Sequence, residues 1–271
     1  MTMLSVVIPS LGGDLCTTLN ALFSSSISPD EVIVCLPNDS HAVKNAEHYK
    51  NLKIVYADRY GQVYQRVIGF KSAKSDYVLQ LDDDIVLDEQ CLEQLIASLK
   101  ALPRQSTVSP CLFNVNGRPL YERKKQGMLS FYYRLVNGSK GYKPGVVTRA
   151  GTNFGINPSE VTNKLVEVDW QPGGCVLHRK ENLILSDYYP NKGKAYCEDL
   201  IHSHLLRHSG VKLFVDTHAK CTTPLNPTLS IGKEIVPDFK ARLYFVKLAN
   251  LSIARMLIHY MVYVVRSLKS K

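Results

Sequence analysis

The sequence predicts an α/β protein, a mostly parallel sheet flanked by helices with a helical extension at the C-terminus. Three observations lead there. Short β-rich runs alternate with amphipathic segments through roughly the first hundred residues. The first two of these runs are closed by prolines, Pro9 and Pro37. The fourth, Val78-Leu79-Gln80-Leu81, ends in Asp82-Asp83-Asp84, at the kind of strand end where open α/β sheets bind ligands.

Taken in order, Ser5–Ile8 reads as a first strand, and Asp14 to Ser25 has helical spacing at Leu15, Leu19, Leu22 and Phe23. Glu31–Leu36 and Lys53–Tyr56 are the second and third strands. Tyr60 to Ala73 carries Val63, Val67, Ile68 and Phe70 on one helical face. Tyr77–Leu81 is the fourth strand, and Glu89–Leu102 a helix with Leu92, Leu95, Ile96 and Leu99 aligned. Residues 103–165 are rich in Gly, Pro, Tyr and basic residues and weakly periodic, which predicts short strands and mobile loops forming a lid. Order returns at Val166–Leu177, a β-like run broken by Pro172-Gly173-Gly174. Glu198–His208 fits a helix capped by Gly210, and Lys212–Val215 a further strand. On its surface His202, His204 and His208 are expected to be exposed. Leu243 to Leu268 reads as one long helix.

The chain of 271 residues is 45% hydrophobic, enough for a sizeable core, and its net charge is +9. Such a surplus suits anionic partners: nucleotide phosphates, acidic lipid headgroups or nucleic acid. Much of it lies in Arg118, Arg123, Lys124, Lys125, Arg134, Lys140, Lys143 and Arg149. From Phe239 onward there are Lys240, Arg242, Lys247, Arg255, Arg266, Lys269 and Lys271 and no acid. The 7 cysteines have no Cys-x-x-Cys pair and no zinc spacing, so they are expected to be small buried thiols in a reducing cytoplasm. The first strand begins directly at Leu4 and no signal peptide is expected. No uncharged apolar run of about 18 residues offers a bilayer span.

Three adjacent carboxylates repel one another, and a divalent cation with oxygen preferences, Mg²⁺ or Mn²⁺, would hold them together and bridge phosphate oxygens. The plain alternative is a solvated Asp-rich turn. Behind the strand lies Glu198-Asp199 at a helix start, which suits either a catalytic base or a cap opposing the helix dipole.

Strand with Pro9, the Gly61–Gly69 helix with Arg66, the Asp82-Asp83-Asp84 strand end, Gly173-Gly174 and then Glu198-Asp199 make an ordered set. Over about residues 4–225 it resembles the family 2 glycosyltransferases of the GT-A fold. The resemblance implies a GT-A, Rossmann-like sheet and a metal-dependent, inverting transfer from a nucleotide-diphosphate sugar. The acceptor would be a glycan or polyprenyl-linked sugar, in surface polysaccharide assembly. On this likeness Asp82 and Asp84 match the Asp-x-Asp motif, Asp84 as direct metal ligand and Asp82 nearer the ribose or diphosphate, with Asp83 in the variable middle place. Arg66 matches an arginine close to the nucleotide, and Pro9 lies beside the base pocket. Gly173 and Gly174 match the segment lining the donor sugar and acceptor cleft, where Trp170 would stack on a sugar unless it is a core aromatic. Asp199 falls at the base position, with Glu198 beside it. One stretch departs: where relatives carry an Asp-Asp-Gly-Ser turn this chain has Pro37-Asn38-Asp39-Ser40. The carboxylate is displaced to Asp39, with Asp58 as a substitute base contact, and His218 is an outside candidate for a residue near the metal.

The resulting organisation is a catalytic domain over 1–228, with a nucleotide-binding half (1–102) and an acceptor half (103–228), and a basic amphipathic tail over 229–271. That tail suits either a helix lying on an anionic membrane or one packed on protein. The enzyme is expected in the cytoplasm, with peripheral contact at the inner face of the cell membrane left open. Two rivals differ in class. A nucleotidyltransferase would need a Gly-rich phosphate loop that is reduced here to Leu11-Gly12-Gly13. A non-catalytic basic protein binding membrane or nucleic acid would leave both acidic motifs unexplained, so no nucleic-acid partner is expected.

Overall fold

β1 (Leu4–Pro9) is buried along its whole length in the computed structural model, which describes residues 3–121, 135–138, 143–190, 194–224 and 234–269. A strand covered on both faces belongs inside a parallel sheet. β1 indeed pairs in parallel with β2 (Glu31–Pro37) and β4 (Tyr77–Leu81), and β2 with β3 (Leu52–Ala57). Leu4, Val6 and Ile8 point to one face, where they meet Leu15, Leu19 and Leu22 of the first helical segment and Leu92, Leu95 and Leu99 further on. Val7 points to the other, against Ile33, Phe70 and Ala73. This alternation decides which helices lie on which side: α1 (Cys16–Phe23) and α3 (Cys91–Ala101) on the first, α2 (Gln62–Ser72) on the second.

The seat of α2 is tight. A methyl group on Gly69 would lie 2.4 Å from Val7 Cγ1 and 2.5 Å from Cys35 Sγ, so only glycine lets the helix approach the sheet this closely.

The sheet continues as β4-β8-β6-β9-β5, with β7 (Leu165–Val168) also on β9, nine strands among the described residues. β8 (Cys175–Arg179) runs antiparallel between β4 and β6 (Ser106–Asn114), and β6 is parallel to β9 (Lys212–Thr223). β5 (Val86–Leu87) and β7 are antiparallel to β9. Thus β1–β4, β6 and β9 point one way, giving the mostly parallel sheet that was expected. The nine-residue β6 corrects the reading of 103–165 as short strands and loops: residues 106–112 are buried in the middle of the sheet. The basic residues Arg123, Lys124, Lys125, Arg134 and Lys140 lie outside the described residues.

α4 (Glu198–His208) ends as predicted at Gly210, whose φ is +83°. Its N–H donates to Arg207 O and that of Val211 to Leu206 O, the pairing of a Schellman cap. The single tail helix expected over 243–268 is instead two, α5 (Ile235–Leu248) and α6 (Ile253–Lys269). Asn250 adopts φ +51° and the same cap forms, with Asn250 N–H on Lys247 O and Leu251 N–H on Val246 O. Apolar periodicity runs through this stop unbroken, which is why it hides in the sequence. Phe245, Val246, Met256 and Tyr260 of the two helices pack with Trp170 and with Leu200 and Ile201 of α4. No helix among the described residues is long and apolar enough to cross a membrane.

Candidate active site

The C-terminal edge of the parallel strands gathers the acidic motif. After Leu81 the chain turns, with Asp82 N–H on Gly174 O at 2.8 Å and Ile85 N–H on Asp82 O at 3.3 Å. The three aspartates then diverge. Asp83 Oδ2 accepts from Ser10 Oγ at 2.5 Å and its carbonyl from Thr18 Oγ1 at 2.9 Å, tying the end of β4 to the end of β1 just after Pro9 and to α1. Asp84 is exposed. Asp82 turns inward, where Oδ1 accepts from Gln62 Nε2 and from an Arg66 guanidinium nitrogen, each at 3.1 Å.

Arg66 is the hinge of the site. It comes from the middle of α2, is 2% exposed, and its other terminal nitrogen donates to Glu198 Oε1 at 2.6 Å. Tyr188 Oη donates to the same oxygen at 2.5 Å. Burial alone would lower the Arg66 pKa, yet Glu198 and Asp82 raise it, so the cation persists. Burial lifts the Asp82 carboxyl to about 6 in spite of Arg66, with Glu198 and Asp84 adding to the rise. Asp84 is also raised, by burial and by Asp83.

Glu198 and Asp199 open α4 behind Cys197, a non-glycine residue with φ +55°. Such a backbone costs of order 1–3 kcal/mol and tends to persist where surrounding contacts demand it. The helix has no side-chain cap from Cys197, and Glu198 does not cap it either, because its carboxylate is engaged by Arg66 and Tyr188. Asp199 is half-buried and accepts from Leu200 N–H at 2.9 Å. Burial first, and then Glu198, push its carboxyl up to about 7. Gly173 lies against this pair: a Cβ there would sit 2.7 Å from Glu198 Oε2 and 3.5 Å from Asp199 Cβ. Gly174 faces Asp82 Oδ2 in the same way at 3.4 Å, and Gln80 Nε2 donates to Gly173 O. Asp82, Arg66, Gly173, Gly174, Glu198 and Asp199 therefore form one contiguous wall.

Four expected residues stand outside it. Asp39 and Asp58 follow β2 and β3 at the same sheet edge, both exposed, with Asp58 hydrogen-bonded to Tyr64. Trp170 is 2% exposed, edge-on to Tyr121 at 5.6 Å and donating to Phe154 O at 3.0 Å, which is the core-aromatic reading of that residue rather than a sugar platform. His218 is exposed on β9, its N–H bound to the buried Asp216.

The sequence profile described as Glycosyl transferase family 2 matches residues 5–159, more than half of the chain and including the strand-end aspartates. The chain belongs to glycosyltransferase family 2. No curated sequence matches it significantly. Among solved structures, GalNAc-T7 with UDP, GalNAc and Mn²⁺ superposes with a TM-score of 0.60 at 18% identity, over 90% of this chain and 48% of that one. Staphylococcus aureus TarS 1–349 in complex with UDP-GlcNAc gives 0.54 at 16% identity, over 98% of this chain and 72% of that one. The chain thus spans about half the length of GalNAc-T7. At these identities the likeness shows the fold, and the GT-A architecture of the family is the one seen here.

For a family 2 protein the metal question turns on the donors present. No cluster of three or more His, Cys, Asp and Glu side chains forms a ready cage among the described residues. A Mg²⁺ or Mn²⁺ that also takes phosphate oxygens needs only one or two carboxylates. Asp82 and Asp84 meet that requirement, two hard oxygen donors on one turn whose charges already disfavour each other. They fit such an ion.

Four participants escaped the sequence reading: Gln62, Tyr188, Ser10 and His202. Gln62 was within reach, since it opens α2 immediately after Gly61. Tyr188 had no local signal, because its partner Glu198 is ten residues away in the chain. His202 corrects the expectation of a surface histidine. It is 3% exposed and stacks on the Tyr188 ring at 5.7 Å, with burial and Arg66 lowering its pKa to about 3.

Proposed function

We propose that this protein is an inverting glycosyltransferase that moves a sugar from a nucleotide-diphosphate donor to a glycan or polyprenyl-linked acceptor in surface polysaccharide assembly. The observation that carries it is the buried Arg66 joining the strand-end Asp82 to Glu198, one residue before Asp199. A donor-side carboxylate and an acceptor-side carboxylate are thereby held on one rigid wall. The bound nucleotides of GalNAc-T7 and TarS support a nucleoside diphosphate as the leaving group.

In this reading Asp199 is the general base. A carboxyl lifted to about 7 accepts a proton far better than an ordinary aspartate, and a positioned base contributes roughly 10²–10⁴-fold. Asp199 takes the proton of the acceptor hydroxyl, and that oxygen bonds to the anomeric carbon from the face opposite the diphosphate. The bond from that carbon to the diphosphate oxygen breaks, its electron pair leaving with the nucleotide. Glu198 holds Arg66 and, through Tyr188, fixes the start of α4, a positioning role. Gly173 and Gly174 keep the wall free of side chains where the sugar would lie. Asp84 and Asp82 would hold Mg²⁺ or Mn²⁺, which when bound neutralises the departing diphosphate. Asp39, Asp58 and the strand end at Pro9 would border the base. Work at the inner face of the cell membrane would suit a polyprenyl-linked acceptor.

Thermal shift with a panel of nucleoside diphosphates, with and without Mn²⁺, tests this directly. Stabilisation by one diphosphate only with metal, lost in Asp84→Ala, is the expected result. No shift by any of them in the folded wild type would end the donor-site reading.

A further inference from the structure

The wild-type C-terminal hairpin has two very different sides. Met256 and Tyr260 of α6 are buried against the catalytic domain. The exposed residues of α6 whose side chains are described are Ile253, Ala254, Leu257, Ile258, Met261 and Val265, and all six are apolar. At 3.6 residues per turn these fall on one unbroken arc of about 140°. Leu257, Ile258 and Met261 are 44%, 44% and 63% exposed, a concentration that a protein bathed only in water seldom keeps.

The surroundings of this arc are basic. On α5 the exposed positions Lys240, Tyr244, Lys247 and Leu248 recur at helical spacing, alternating cation with apolar ring or chain. Arg255 lies along the edge of the α6 arc, donating to the Leu135 and Val136 carbonyls, and Leu135 beside it is itself 60% exposed. From Phe239 to the end of the chain there is no aspartate or glutamate. A partner would have to match a ribbon of aliphatic side chains beside the exposed Lys240 and Lys247 and with no acidic residue from Phe239 onward, and an anionic lipid leaflet does so by its nature.

We propose that the α5–α6 hairpin is a membrane-docking surface, with Leu257, Ile258 and Met261 entering the acyl boundary of an anionic bilayer and Lys240 and Lys247 meeting its headgroups. The helix lies in the plane of the interface and does not span it, consistent with Arg255 in its first turns. The opposite, buried face of the hairpin packs directly on α4, so docking would set the acidic pair at the head of that helix at a defined height above the lipid. None of this depends on the transfer chemistry, and the experiment needs no nucleotide or sugar.

The test is sedimentation of the full chain with vesicles of phosphatidylcholine, with and without phosphatidylglycerol. Expected is firm binding to the anionic vesicles, weakened by salt, and roughly tenfold or more weaker on phosphatidylcholine alone. Leu257→Glu with Met261→Glu changes only exposed positions and should cut anionic-vesicle binding at least about tenfold without altering the melting temperature. Lys240→Glu with Lys247→Glu is a second, fully surface variant, expected to lose roughly fivefold or more per charge. The proposal is overturned if the wild type stays in the supernatant or if both double variants sediment like it. It is equally overturned if light scattering shows a dimer that Met261→Glu dissociates, since the arc is then covered by a second copy.

Discussion

Replacing Arg66 by methionine isolates the interaction on which the site rests. The guanidinium is 2% exposed and serves Glu198, whose side chain is 6% exposed, and Asp82 at once. Removing one member of a buried ion pair leaves the other charged and dry, a loss of about 3–5 kcal/mol. For a chain of this size that is a fall in melting temperature of about 6–15 °C. The decisive assay is a double-mutant cycle by urea unfolding, with Arg66→Met, Glu198→Gln and the pair. Once Glu198 carries no charge, losing Arg66 should matter less, so the double variant should be more stable than the sum of the single losses by roughly 1–3 kcal/mol. Strict additivity, or an Arg66→Met loss below about 1 kcal/mol, would refute the shared-cation reading.

Asp199→Asn should leave nucleotide binding intact and cut transfer by roughly two or more orders of magnitude, as removal of a general base does. Because the carboxyl stands at about 7, it is protonated and idle below that pH, so wild-type transfer should rise with pH and level off above it. The residual activity of the asparagine variant should lack that limb, and an identical pH profile in both proteins would exclude Asp199 as the base. The fold carries the opposite slope, since a carboxyl raised from 3.8 to about 7 favours the protonated native state and loses stability as pH climbs between those values. Gly69→Ala should cost about 1–3 kcal/mol by forcing α2 off Val7 and Cys35, measurable in the same unfolding assay. Asn250→Ala should cost about 1 kcal/mol and Asn250→Gly little or nothing, because only the left-handed turn between α5 and α6 is at stake.

What could be read from the residues alone follows a physical division. β1 to β4 and α1 to α3 are each encoded locally, by alternation, helical spacing and the prolines at Pro9 and Pro37, and all appear within a few residues of where they were expected. Gly210 closes α4 as its chemistry requires. The site was half legible: Asp82, Arg66 and Glu198 were named from a resemblance, and the structure brings them into contact. Of their partners, Gln62 could have been found from its place beside Gly61, but Tyr188 could not, since a hydrogen bond across 10 residues of chain leaves no trace in local pattern. β6 was missed for a related reason. Buried on both sides in mid-sheet, it has no alternation to betray it, and Pro110 within it argues against a strand. There β9 bulges, Pro110 pairing with Asp216 but Cys111 with Lys220. Asn250 looked like one more polar residue in a helix until its φ was known.

A single cation divided between two carboxylates has a consequence for the order of events. On the proposed reading, a donor that changes the hold of Asp82 on Arg66 would also change the hold of Arg66 on Glu198, one residue from the proposed base. If donor binding changed acceptor affinity by that route, acceptor binding would by thermodynamic reciprocity change donor affinity by the same factor. The two halves of the proposed cleft would then be two ends of one balance, coupled through a side chain that neither substrate need touch.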